Sequence, residues 1–165
     1  MNLVFAMKNK YIYLISSVIF ILDLIIKQLI INNLKTSISV IDNFFTLYLV
    51  KNTGGAFSIL NNNVGLLSII GIIFLFGIIK YINNNKNMTN IESIGISFLL
   101  GGLLGNLFDR IVRGGVIDYL SFNFFGYYFP VFNLADIFIT LGVMLVIINE
   151  VRGDLLANRK RKCKN

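Results

Sequence analysis

Four apolar runs, 11–31, 64–82, 91–108 and 131–148, divide the chain. Each is about 18 to 21 residues long, enough to cross a hydrocarbon layer as a helix. Five polar clusters interrupt this pattern: Asp23 with Lys27, Asn52 to Phe57, Gly101 to Arg110, Asp118, and Asn133 with Asp136. An ionisable group in an apolar span costs roughly 3 kcal/mol on insertion scales, so these clusters are where function is to be sought.

Four spans put both termini on one side. Lys8 and Lys10 before the first span, Lys80 and Lys86 around the second loop, and the basic tail after the fourth assign that side to the cytoplasm. Lys35, Lys51, Arg110 and Arg113 lie opposite and weaken the count, although three of them adjoin polar clusters. Span direction then brings all five clusters to the outer interface: odd spans run outward, even spans inward, and Asp136 falls about 8 Å below the start of the fourth. Glu92, Glu150 and Asp154 fall at the cytoplasmic side and read as solvated end groups. A competing reading makes the first span a cleavable signal segment, but no small-residue cleavage site follows it, and Asp23 and Lys27 occupy that place.

The outer connections have their own character. Residues 36–50 are β-branched and aromatic, which predicts short strands ending at the Asn52-Thr53-Gly54-Gly55 turn and forming a small sheet on the membrane. The second connection carries Tyr119, Phe122, Phe124, Phe125, Tyr127, Tyr128 and Phe129, either as an aromatic belt at headgroup depth or as a substrate contact.

Composition narrows the chemistry. With 165 residues, 56% of them hydrophobic, and a mean hydropathy of +0.75, the chain fits one integral membrane domain. There is no histidine, and the single cysteine, Cys163, lies in the basic tail, which argues against a disulfide framework and a zinc site. No metal or cofactor is expected; carboxylates alone leave a hard-cation site open in principle, yet nothing resembles a calcium loop. The net charge of +7 collects at span ends instead of forming a stripe, so membrane orientation explains it better than nucleic acid. The Arg159–Lys164 tail reads as an anchor for anionic headgroups, with RNA binding as its rival.

Asp23 and Lys27 stand four apart on one helix face, acid first, as an ion pair would require. Gly101, Gly102 and Gly105 form a small-residue strip suited to close helix packing. Asn106 and Arg110 share a face, with Asp109 one step away. No basic residue stands at helical spacing from Asp118 or Asp136, although Arg110 or Arg113 can fold back. Two carboxylates in one low-dielectric pocket do not both ionise readily, which supplies a base and an acid together. The alternative is that both acids only cap or pair with spans. Nucleophilic schemes lack parts, since there is no histidine, no G-x-S-x-G turn and no S-x-x-K arrangement.

Together these motifs resemble the bacterial lipoprotein signal peptidase (signal peptidase II) family of membrane aspartyl proteases. The resemblance rests on Asp23-x-x-x-Lys27, Asn52-x-Gly54-x-Ala56-Phe57, Gly101-Gly102-x-x-Gly105-Asn106-x-x-Asp109-Arg110, Val116-x-Asp118 and Phe132-Asn133-x-Ala135-Asp136. It implies four transmembrane helices with an extracytoplasmic β-cradle at 32–63, a further outer connection at 109–130 and a cytoplasmic tail at 149–165. It also implies Asp118 and Asp136 as the catalytic pair, with Asp23, Lys27, Asn52, Gly54, Asn106, Asp109, Arg110, Asn133 and Ala135 in supporting positions. The implied substrate is a prolipoprotein cut before a diacylglyceryl-modified cysteine in the bacterial plasma membrane, by an enzyme expected to act as a monomer. Leu24, Leu103, Tyr119 and Phe129 depart from the residues usual in the family and bear on packing and substrate fit. Two rival readings stay open: a transporter whose acids form an ion relay, although no acid cluster marks a second exit, and an assembly protein held by the glycine strip.

Overall fold

The computed structural model describes residues 2–55, 60, 62–85 and 87–162, with 2–8 and 154–162 described by backbone alone. Ala56, Phe57, Lys86, Cys163 and Lys164, used in the reading above, lie outside the described residues. The chain runs α1 (Asn2–Asn33), β1 (Ile38–Ile41), β2 (Phe45–Asn52), α2 (Val64–Asn84), α3 (Asn90–Phe108), a π-helical turn (Asp109–Arg113), β3 (Val116–Phe124), β4 (Tyr127–Tyr128) and α4 (Leu134–Lys162). All four helices are long and apolar enough to cross a membrane, and a small open antiparallel sheet sits at one end.

α3 is the central and most buried helix. α1 meets it through a stripe at helical spacing, Ile12, Ser16, Ile19, Asp23 and Lys27, all buried. The Ser16 hydroxyl crosses the seam to the Ser97 carbonyl at 3.0 Å. Small residues let the backbones approach. A Cβ on Gly101 would lie 2.8 Å from Ile19 of α1, and one on Gly102 would lie 2.5 Å from the Ala135 carbonyl oxygen of α4. Deeper in the same α3–α4 seam, Gly95 and Gly142 back onto each other, each with the other's carbonyl within 3.0 Å of where a Cβ would stand.

At the far end Glu92 corrects the expectation of a solvated end group: only 8% of it is exposed. It closes a reciprocal cap with Thr89 at the start of α3, accepts the Tyr81 hydroxyl of α2 at 2.5 Å and accepts from Asn149 of α4 at 3.4 Å. One carboxylate thus ties three helices, as an acid near a helix N-terminus is well placed to do. Glu150 is exposed, as expected.

The second connection also differs from the sequence reading. Residues 109–130 contain a π turn and two strands, giving sheet order β1-β2-β3-β4. β3 is interior, between β2 and β4, and it carries Asp118. The β3–β4 hairpin turns through Phe125 and Gly126, both at positive φ (53° and 94°), the backbone that a two-residue hairpin requires. A register shift in β2 decides which side chain meets Asp118. Leu47 pairs with Leu120, but two positions nearer the site Val50 pairs with Asp118 and Asn52 with Val116. Unshifted pairing would set Lys51 opposite Val116 and turn Asn52 to the other face; the extra residue brings Asn52 onto the face of Asp118. The Lys51 stem lies instead along the Gly114–Gly115 turn.

Candidate active site

The helix ends and the sheet meet around two linked polar groups. The first is an ion cluster between α1 and α3. Lys27, fully buried, stands 2.7 Å from Asp23 and 2.9 Å from Asp109, so the expected Asp23–Lys27 pair is present with a second acid added. Asp109 also pairs with Arg113 and accepts the Ile117 amide at 3.1 Å, and Arg113 reaches Gln28 of α1. Two acids and two bases balance. Burial of this order is tolerable only with such pairing and with the remaining lone pairs satisfied. Asp23 uses its other oxygen to accept the Ala135 amide at 3.2 Å, tying α4 to the cluster.

The wide turn at Asp109–Arg113 makes this possible. It ends at Gly114, whose φ of +68° fits a glycine and whose N–H reaches back to the Asp109 carbonyl. Asp109 faces inward to Lys27, while Arg110 turns into the neighbouring pocket.

The second group holds the two aspartates. Lys27 donates to Asn106 Oδ1 at 3.0 Å, which forces the amide nitrogen of Asn106 towards Asp136, at 2.7 Å. Asn133 Oδ1 accepts the Asp136 amide at 3.0 Å, so its own nitrogen donates to Asp118 at 2.7 Å and to Asn106 Oδ1 at 3.1 Å. Asn52 Oδ1 accepts the Gly54 amide at 2.9 Å and its nitrogen donates to Asp118 at 3.0 Å. In all three asparagines a partner that can only donate fixes the carbonyl oxygen, and the NH₂ group is left to face a carboxylate. Asp136 also accepts the Asn133 amide at 3.2 Å, completing a reciprocal cap at the start of α4.

Asp118 and Asp136 therefore share Asn133, and both line one pocket of about 780 Å³. The pocket is walled by Asn52, Arg110, Phe129 and Phe132 near the acids and continues beside α4 past Ile137 and Leu141 to Met144. Burial, with the Asp136 carboxylate as the next cause, pushes Asp118 up from 3.8 to about 6, against the pull of Asn52, Asn133 and Lys27.

Of the residues singled out in the sequence, Asn52, Asn106, Asn133, Asp118 and Asp136 form one bonded network, and Lys27 joins it to Asp23 and Asp109. Arg110 lines the pocket. Gly54 acts through its amide, and Ala135, fully buried, lies in the helix seam instead of the pocket wall. Sequence reasoning did not single out Gln28, or Ile137, Leu141 and Met144 of the wall; the last three stand at helical spacing from one another, a signal hidden in an apolar run.

A membrane-spanning bundle whose polar interior converges on two carboxylates beside a roomy pocket is the equipment of a membrane hydrolase of the aspartic type. Residues 15–152 match the family model described as signal peptidase (SPase) II, and the chain belongs to that family. It is 37% identical over 148 residues to a lipoprotein signal peptidase of Staphylococcus haemolyticus, covering 86% of this chain and 94% of the relative. It is 35% identical over 151 residues to a lipoprotein signal peptidase of Staphylococcus aureus, covering 90% and 91%. A solved bacterial membrane enzyme superposes with a TM-score of 0.80 at 34% identity, over 87% of this chain and 88% of that one. A second bacterial membrane enzyme structure gives 0.76 at 34% identity, over 85% and 92%. Family membership makes the protein a multi-pass membrane peptidase and removes the transporter and assembly readings.

Proposed function

We propose that the protein removes signal peptides from prolipoproteins by hydrolysing the bond before a diacylglyceryl-modified cysteine, with Asp118 and Asp136 sharing one proton. The observation that carries this reading is the double hold of Asn133 on both carboxylates within one pocket. The ionised member takes a proton from water, whose oxygen bonds the scissile carbonyl carbon. The protonated member hydrogen-bonds the carbonyl oxygen, and collapse of the intermediate breaks the C–N bond as the leaving amine gains a proton. Each such transfer contributes about 10² to 10⁴ in rate. The protons belong to the pair, not to either residue.

Asn52, Asn106 and Asn133 hold the carboxylates in place, Gly54 locks Asn52, and Lys27, Asp23, Asp109 and Ala135 hold Asn106 and the α4 start. The apolar part of the pocket along α4 suits the diacyl chains, each buried methylene contributing about 0.8 kcal/mol. The site then faces the outer interface, both termini are cytoplasmic, and one chain suffices. Basic residues at the inner ends of the spans support that orientation.

The test is cleavage, by the purified enzyme in neutral detergent, of a lipobox peptide carrying diacylglycerol on its cysteine beside the same peptide with a free thiol. The lipidated peptide is expected to be cut far faster; equal rates would defeat the substrate assignment.

A further inference from the structure

Among the described residues two cations line the pocket of the acid pair without an ion pair, Arg110 and Lys51, and the Lys51 stem is laid along the Gly114–Gly115 turn. Lys27 and Arg113 are matched by Asp23 and Asp109 at ion-pair distance, whereas Arg110 makes no ion pair among the described residues. Among the described residues its hydrogen bond, to the Asn106 carbonyl, is long at 3.5 Å. The guanidinium carries five N–H donors in a planar fork. It is half-buried and lines the same pocket as Asp118 and Asp136, which are its largest electrostatic neighbours.

Hydrolysis changes the charge of that pocket. Before the reaction the pair with one shared proton carries one negative charge, and Arg110 offsets it. Afterwards the carbon–oxygen bond from water has formed, the C–N bond has broken, the cysteine amine holds a proton, and the departing peptide ends in a carboxylate. A second negative charge then sits in a low-dielectric pocket, where like charges repel strongly.

We infer that Arg110 is the receptor for the carboxylate newly formed on the released signal peptide. A carboxylate matches the guanidinium fork two oxygens to two N–H groups, and a charged hydrogen bond of this kind is about twice as strong as a neutral one. The π turn serves this end, because it sends Asp109 to Lys27 and leaves the adjacent Arg110 facing the acids. The uncleaved substrate offers only a neutral amide there, so the contact strengthens as the bond is cut. This assignment rests on the two-acid reading of the pocket.

The experiment measures product binding without turnover. Two synthetic peptides ending where the signal peptide ends, one with a C-terminal carboxylate and one with a carboxamide, are titrated into the enzyme in neutral detergent at pH 7. The wild type is expected to prefer the acid by about 10- to 100-fold. Arg110→Gln is expected to lose that preference, because the fork is gone while the aspartates still repel the acid and Lys51 offers only a point charge. Arg110→Lys, which keeps the charge without the fork, is expected to fall between them. Equal binding of acid and amide by the wild type would overturn the inference, as would an undiminished acid preference in folded Arg110→Gln. The two-acid reading is judged separately, by turnover of aspartate variants, so either can fail alone.

Discussion

Gly102→Ala probes the seam on which the site depends. The added Cβ would stand 2.5 Å from the Ala135 carbonyl oxygen and 2.8 Å from Ile139 Cγ1. A carbon–oxygen contact relaxes at about 3.3 Å, so α3 and α4 must part by roughly 0.8 Å at this level. The obstacle is backbone, which cannot swing aside as a side chain would. Overpacking of this kind costs about 1 to 3 kcal/mol, while the helix preference for alanine returns about 0.5 to 1 kcal/mol, leaving a net loss centred near 1 kcal/mol and reaching about 2.5 kcal/mol. The displacement also loads the Asn106–Asp136 hydrogen bond, 2.7 Å long and bridging the same two helices. A misplacement near 1 Å lowers turnover by as much as about 10²-fold. Gly77→Ala on α2 is the control, because nothing lies within 4 Å of its Cβ position. Thermal unfolding in detergent and cleavage of the lipidated peptide are measured on both. Gly102→Ala is expected to melt lower and cut at least tenfold more slowly, with Gly77→Ala melting no lower than the wild type and cutting at the same rate. Full activity and stability in Gly102→Ala would refute the reasoning, and so would equal damage from both substitutions.

Lys27→Met would leave Asp109 in the interior with Arg113 as its ion partner and take from Asp23 the cation it pairs with, and it is expected to destabilise the protein by about 3 to 5 kcal/mol in denaturant titration and to slow cleavage through the loosened Asn106. For Asp118 the folded value near 6 lies above the ordinary 3.8, so the fold favours the protonated form; that stabilisation is complete below about pH 4 and is lost as pH rises through about 6. Asp118→Asn, neutral throughout, is therefore expected to melt higher than the wild type at pH 7 to 8, the gap closing by pH 4. Tyr81→Phe removes the hydroxyl that Glu92 accepts and is expected to cost about 1 kcal/mol of stability with an unchanged cleavage rate, since Glu92 lies about 21 Å along α3 from Asn106.

The four helices and the polar clusters were legible because an apolar run and a charge within it are local signals. Asp23 and Lys27 declared their pairing by spacing, and the resemblance joined Asp118 to Asp136. The partners of these groups were not legible. Asn52 reaches Asp118 across 66 positions and Ala135 reaches Asp23 across 112, and no local pattern encodes such contacts. The orientation of each asparagine depends on what fixes its carbonyl oxygen, which only the assembled structure supplies. β3 was hidden because its aromatics read equally well as an interfacial belt, although Val116, Ile117, Tyr119 and Phe122 also suit a strand. The one-residue shift in β2 that brings Asn52 instead of Lys51 to the acid has no signature in composition at all. Glu92 was misjudged because position along a span gives depth but not burial.

The claim that Asp118 and Asp136 act as one unit is tested most directly by the turnover of Asp118→Asn, Asp136→Asn and the double variant on the diacylglyceryl peptide, each first checked for folding by its melting curve. Groups that work together give losses that do not multiply. Each single variant is expected to lose about 10³-fold or more, and the double variant no more than a few-fold beyond either. A folded single variant retaining over about a tenth of wild-type activity, or a double loss equal to the product of the singles, would contradict the account.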